Sequence, residues 1–230
     1  MKNSSFIILF ITCTLMIVGC QVEDQVASQR SISPEIPALL TRGSKIQMGK
    51  EWTNVQNAYA KLCKDLRKDD GNSQSALSLA MLFIQEARVT GEHGHYYPAA
   101  LQMINNILKS GSPDDDLRFR SLSAQAGVFL SLHQFDAALE IAKEAVKLNN
   151  YNAQIYGVLV DAHVELGDYD MAVRMADKMV SIRPDLRSYS RVSYLREIHG
   201  DLEGAIDAMK LAVSAGYPTY EETAWAKLTL

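Results

Sequence analysis

The octet Leu166-Gly167-Asp168-Tyr169-Asp170-Met171-Ala172-Val173 decides how the rest of the chain is read. Gly-Asp between two apolar-periodic stretches marks a helix–turn–helix junction. Gly can adopt the left-handed conformation that ends one helix, and Asp can cap the start of the next. Ala172 then falls where two antiparallel helices would cross, a place where a larger side chain would push them apart. The octet recurs: Leu132-His133-Gln134-Phe135-Asp136-Ala137-Ala138-Leu139 stands 34 residues upstream, and His199-Gly200-Asp201-Leu202-Glu203-Gly204-Ala205-Ile206 stands 33 downstream. After the first copy, Ala138, Ile141, Ala142, Ala145 and Val146 form one apolar stripe, with Lys143, Glu144 and Lys147 facing away. A generic helical bundle accounts for such a stripe. It does not account for three turn-to-alanine patterns at nearly constant spacing.

Laid out from these turns, the units run over 119–152, 153–186 and 186–219. Counting from each start, position 8 is Ala126, Val160 and Ser193, and position 17 is Phe135, Tyr169 and Leu202. Position 20 is Ala138, Ala172 and Ala205, and position 27 is Ala145, Met179 and Ala212. This pattern resembles the tetratricopeptide repeat, a 34-residue helix–turn–helix unit. The departures are Leu122, Tyr156 and Tyr189 at position 4, where the family favours Trp, and a proline at position 32 in the second unit alone, Pro184. The resemblance implies an all-α fold, a right-handed superhelix of antiparallel helix pairs. Looser units are expected over 47–113. There 75–87 and 97–109 read as a helix pair with Ala100 at the crossing, joined by a long connection over 88–96. Trp52, Val55, Tyr59 and Leu62 read as an earlier helix. A partial repeat over 220–230 should dock one face on the preceding helix and leave an apolar edge at Trp225 and Leu228, open to self-association. The array as a whole spans 44–230.

Composition is consistent with helix: of 230 residues 47% are hydrophobic and 22% charged, with only 13 Gly and 6 Pro. The formal charge of −4 argues against nucleic acid as a partner.

The first residues read as an address. A short polar start with Lys2 precedes an apolar run from Phe6 to Val18, too short to span a bilayer, which takes about 20 residues. Ile17-Val18-Gly19-Cys20 ends that run and resembles a bacterial lipobox. That resemblance implies a lipoprotein signal peptide over 1–19, lipidation at Cys20, and a membrane anchor of acyl chains. With Gln21 rather than Asp next, the expected location is the outer membrane facing the periplasm, with surface exposure as an alternative. Residues 20–43 lack a sustained period and read as lipidated N-terminus and flexible tether. Cys63 reads as a small core residue.

Little in the chain suggests chemistry. His93-Gly94-His95 supplies at most two or three ligands where a closed zinc site needs about four, so no metal is expected. No phosphate-cradling loop, nucleophile elbow or His-Glu-x-x-His is present. Asp114-Asp115-Asp116 reads as an N-cap and helix-dipole complement. Neither cofactor nor catalytic residue is expected. In the family, the concave face is lined from positions 2, 5, 9 and 12 of each first helix. The resemblance therefore implies a partner groove at Arg120, Gln154, Asp161, Arg187 and Tyr194, with Arg191 beside them. The Lys and Asn with which some relatives grip a C-terminal carboxylate are replaced by Ser123/Gly127, Gly157/Asp161 and Ser190/Tyr194. The expected function is a non-catalytic scaffold or assembly adaptor holding a protein or peptide segment. The alternative is a glycan- or nutrient-binding surface lipoprotein, which is weakened by there being only Trp52 and Trp225 for sugar stacking.

Overall fold

The structure is a computed structural model that describes residues 36–110 and 114–230. The expected signal peptide and Cys20 lie outside the described residues. Among the described residues ten α-helices follow one another: α1 (Gly49–Lys68), α2 (Ser73–Thr90), α3 (His93–Lys109), α4 (Asp115–Ser131), α5 (Phe135–Leu148), α6 (Ala153–Glu165), α7 (Tyr169–Ile182), α8 (Leu186–Ile198), α9 (Leu202–Ala215) and α10 (Glu221–Thr229). The same residues contain no strand, and no helix among them is long and apolar enough to cross a membrane.

The helices pack as the pairs α2/α3, α4/α5, α6/α7 and α8/α9, and each pair stacks on the next. The leading helices α2, α4, α6, α8 and α10 also touch one another in succession, so they share one face of a helical-repeat solenoid. At the crossings lie Ala100, Ala138, Ala172 and Ala205, all buried. Opposite the last three sit Ala126, Val160 and Ser193, also buried, and the Ser193 hydroxyl donates to the Ala205 carbonyl at 2.8 Å. Met179 and Cys63 are core residues. Ala153, at the very start of α6, is buried as well.

The turns share one geometry. The amides of Gln134, Asp168 and Asp201 donate back to the carbonyls of Phe129, His163 and Arg196, and those of His133, Gly167 and Gly200 to Leu130, Val164 and Glu197. These paired bonds close each leading helix around a residue of positive φ: His133 at 57°, Gly167 at 78° and Gly200 at 81°. Asp168 and Asp201 then cap α7 and α9, accepting from the amides of Met171 and Gly204. The first copy has neither glycine nor aspartate at these places, yet its backbone follows the same path.

Two expectations need correction. The connection expected over 88–96 is helical at both ends: α2 runs to Thr90 and α3 starts at His93. Gly91, left-handed at φ 77°, makes the break, and His93 stacks on Tyr97 with ring centres 4.9 Å apart. His95 binds the Ala38 carbonyl at 2.8 Å. The second correction concerns the tether. Residues 36–43 are a strap packed on the first helices rather than a free linker. Ile36, Leu39 and Leu40 lie against the core around Phe83 and Tyr96. The Leu40 amide donates to the Tyr96 hydroxyl at 3.0 Å, and the Tyr59 hydroxyl donates to the Pro37 carbonyl at 3.0 Å. Burial pushes the Tyr96 phenol above its ordinary range.

The strap ends in a buried ion cluster. Arg42 is 3% exposed and Glu86 is 0% exposed. Arg42 donates from Nε and Nη2 to Glu86 at 2.9 and 2.6 Å, and from Nη1 and Nη2 to Glu51 at 2.6 and 2.9 Å. A fifth bond reaches the Ile46 carbonyl at 3.3 Å, and the guanidinium lies 4.9 Å from the centre of the Trp52 ring. All five N–H donors are thus used, as a buried charge requires. The bonds to Glu86 and then Glu51 hold the guanidinium pKa well above its ordinary value.

Two outcomes follow for the scaffold. Ala172→Leu is expected to overpack its crossing and cost about 1–3 kcal/mol in urea unfolding, while Ala60→Leu on the exposed side of α1 costs far less. Equal midpoints would refute the crossing. Arg42→Ala leaves Glu86 buried without its partner and should cost about 3–5 kcal/mol, whereas Arg42→Ala with Glu86→Leu should recover much of that loss.

Candidate functional site: the concave groove

The shared face of the leading helices deepens toward the last two pairs into an open groove of about 1140 Å³. α8 supplies most of one wall. Its helical spacing points Arg187, Ser190, Arg191, Tyr194 and Glu197 the same way, and all five line the groove. α6 contributes Gln154, Val158 and Asp161, and α4 contributes Gly127 and Leu130. Asp185 fixes the start of α8 through a reciprocal capping pair with Ser188, which holds the register of this wall.

Two ion pairs organise the polar side. Arg191 grips Asp161 with a two-pronged contact, Nε to Oδ1 at 2.8 Å and Nη2 to Oδ2 at 2.6 Å, and its Nη1 donates to the Arg187 carbonyl at 3.1 Å. The guanidinium lies over Gly157, where an added Cβ would come within 3.2 Å of Cζ. The small residue at this position therefore makes room for the arginine. Arg187 in turn donates to Glu222 of α10 at 2.8 Å. That bond holds the Glu222 carboxyl below the usual carboxylate range, and Arg88 adds to the effect across the groove.

The opposite wall is apolar apart from Glu221 and Glu222 at the start of α10. α9 presents Leu202, Ala205, Ile206 and Met209, and α10 presents Trp225, Thr229 and, just beyond it, Leu230. Leu202, Ile206, Trp225 and Tyr194 are all exposed. The first three leave exposed apolar side chains along this side of the groove. α10 docks through buried Thr223 and Ala226, the latter against Met209 and Ala212, and leaves Trp225 and Leu228 uncovered.

Of the residues expected to form the groove, Gln154, Asp161, Arg187, Arg191 and Tyr194 come together here. Arg120 does not: it bonds Gln74 at 3.2 Å and Asp116 at 3.5 Å outside the cavity. Sequence reasoning missed Arg88, Leu202, Ile206, Met209, Glu221 and Trp225 as groove residues. Leu202 had stood only as a turn position and Trp225 as part of an apolar edge open to self-association. Among the described residues no group of three or more His, Cys, Asp or Glu side chains is placed to hold a metal ion.

One measurement checks the α10 docking. The folded-state pKa of Glu222 is lowered, so its contribution is present above the unfolded value and lost as pH falls through the folded one. Hydrogen-exchange protection of α10 should therefore fall as the solution is acidified below the ordinary carboxylate range, and Glu222→Gln should remove that part of the dependence. Unchanged acid sensitivity in the variant would count against the Arg187–Glu222 clasp.

Comparison with known proteins agrees with this architecture. Residues 129–196 match the family model described as Tetratricopeptide repeat. A curated relative, the small glutamine-rich tetratricopeptide repeat-containing protein 2 of Saccharomyces cerevisiae, is 31% identical over 103 residues. That match covers 43% of this chain and spans only 30% of the yeast protein's length. Among solved structures, MamA matches with a TM-score of 0.54 at 18% identity, over 84% of this chain and 100% of its own. YrrB, described as a tetratricopeptide-repeat protein with an unusual peptide-binding site, matches at 0.51 and 17% identity, over 80% and 88%. TTC0263, a tetratricopeptide-repeat protein of the thermophile Thermus thermophilus, matches at 0.55 and 20% identity, over 68% and 82%. With its three alanine crossings, its shared turn geometry and the family-model match over 129–196, the chain carries tetratricopeptide repeats and has the fold of tetratricopeptide-repeat solenoids.

Proposed function

We propose that this chain is a non-catalytic scaffold of the bacterial cell envelope. Lipid at Cys20 tethers it to a membrane, by preference the outer membrane on its periplasmic side, and its concave groove holds a segment of a partner protein. The observation that carries the reading is the groove itself, an apolar wall of α9 and α10 facing ion-paired arginines on α8. Repeat proteins of this family mediate protein–protein contacts, and the peptide-binding site of YrrB lies on a similar fold. The Arg187 and Arg191 heads are already neutralised, so the groove offers shape and apolar area rather than a reactive constellation. The anchor rests on Gly19-Cys20 at the end of an apolar run. Two or three acyl chains, at about 0.8 kcal/mol per buried methylene, would hold the protein at a bilayer.

The test has two arms in one bacterial host. Wild type should incorporate labelled palmitate and partition into detergent, and Cys20→Ser should do neither; equal labelling of the variant would rule out Cys20 as acceptor. A photo-crosslinking residue at position 194 should capture a protein partner, while the same residue at exposed position 143 on α5 should not. Equal capture at both positions would remove the groove from the proposal.

A further inference from the structure

The groove carries three arginines, Arg88, Arg187 and Arg191, against four carboxylates, Asp161, Glu197, Glu221 and Glu222. The arginines are largely spoken for. Arg191 is held by Asp161 and Arg187 by Glu222, and Arg88 adds its field to the already paired Glu222. Glu197 and Glu221 have neither a salt bridge nor a side-chain hydrogen bond among the described residues, and both are exposed. The groove therefore carries one surplus negative charge, with two uncommitted carboxylates, Glu197 and Glu221, against one arginine without a salt bridge, Arg88.

Their placement is specific. Glu197 lies three residues after Tyr194 on α8, so the two share one face of that helix. Glu221 lies four residues before Trp225 on α10, so these two also share a face. Each wall thus pairs an exposed aromatic ring with an uncommitted carboxylate, and all four residues line the same cavity. Aromatic faces and carboxylates are the two kinds of group that attract a Lys or Arg head while leaving its aliphatic stem on apolar surface. Leu202, Ile206 and Met209 line the same cavity and supply that apolar surface.

We infer that the groove selects a partner segment with an apolar face interrupted by a basic residue, whose cationic head is taken between Tyr194 and Trp225 and neutralised by Glu197 and Glu221. This rests on the groove being the binding surface. It reverses the polarity of a carboxylate grip, for which the described groove residues offer no free cation other than Arg88. Charge complementarity of this kind sets which segments are accepted more than how tightly they are held.

The experiment is selection of a random dodecapeptide display library on the full-length protein in detergent, with the Glu197→Gln/Glu221→Gln and Tyr194→Ala/Trp225→Ala double variants in parallel. Wild type should recover apolar sequences enriched several-fold in Lys or Arg. The Gln variant should keep the apolar preference and lose the basic enrichment. Apolar sequences without basic enrichment, acidic enrichment, or basic enrichment that survives in the Gln variant would overturn the inference while the groove stands. Recovery unaffected by Tyr194→Ala/Trp225→Ala, or none above background, would remove the groove reading itself. Should the protein prove self-associated and the Gln variant disperse it, the occupant is a second copy and the inferred partner is wrong.

Discussion

Alanine at the helix crossings is the constraint on which the rest of this molecule depends. With Ala100, Ala138, Ala172 and Ala205 buried between paired helices, the backbones approach closely. Close approach is what allows a turn of a few residues to join antiparallel neighbours, and the short turn in turn fixes the register of each following helix. The shared face follows from that register. Residues three and four apart on α8 point into the groove because α8 cannot rotate without breaking its packing on α9. A larger residue at one crossing would be felt in its own pair and the units stacked directly on it, since each unit rests only on its neighbours.

The crossings and the turns were legible because they are local and periodic. The turn at Leu132-His133-Gln134 shows how far a signal can fade while the geometry survives. His133 takes φ 57° where its counterparts are glycines, at a cost on the order of 1–2 kcal/mol for a non-glycine residue. The packing of α4 on α5 absorbs it. The strap was not legible. Residues 36–43 have no period of their own, and their burial depends on Glu86, 44 residues after Arg42. In sequence Glu86 is one more polar residue of an amphipathic helix. Nothing near it announces that its partner arrives from a segment without secondary structure. Gly91 and Gly94 misled in the opposite sense. Two glycines around histidines read as an extended turn, but only Gly91 breaks the helix, while Gly94 sits in the first turn of α3, where helix propensity counts for little.

Half of the candidate groove could be read from repeat positions, and the other half could not. Position rules name residues on leading helices, and those rules placed Gln154, Asp161, Arg187 and Tyr194 on one side. The facing wall comes from α9, a following helix for which those rules name no groove residue, and its apolar residues at 202, 206 and 209 line the cavity beside α10. Arg120 failed for a different reason: its side chain finds Gln74 and Asp116 and does not line the cavity.

The way α10 is seated couples groove occupancy to local order. A nine-residue helix held by Thr223, Ala226 and one ion pair belongs to the low-stability end of a fold and opens at small free-energy cost. Trp225 is part of the wall only while that helix is down. Any occupant bridging α8 and α10 therefore binds one member of a two-state equilibrium, and its apparent affinity is the intrinsic one scaled by the closed fraction. Residues that never touch the occupant then become affinity determinants. Gly216 is one such residue. A Cβ there would run into the side chains of Thr223 and Leu186, so any other residue would require the seat of α10 to shift from behind the wall.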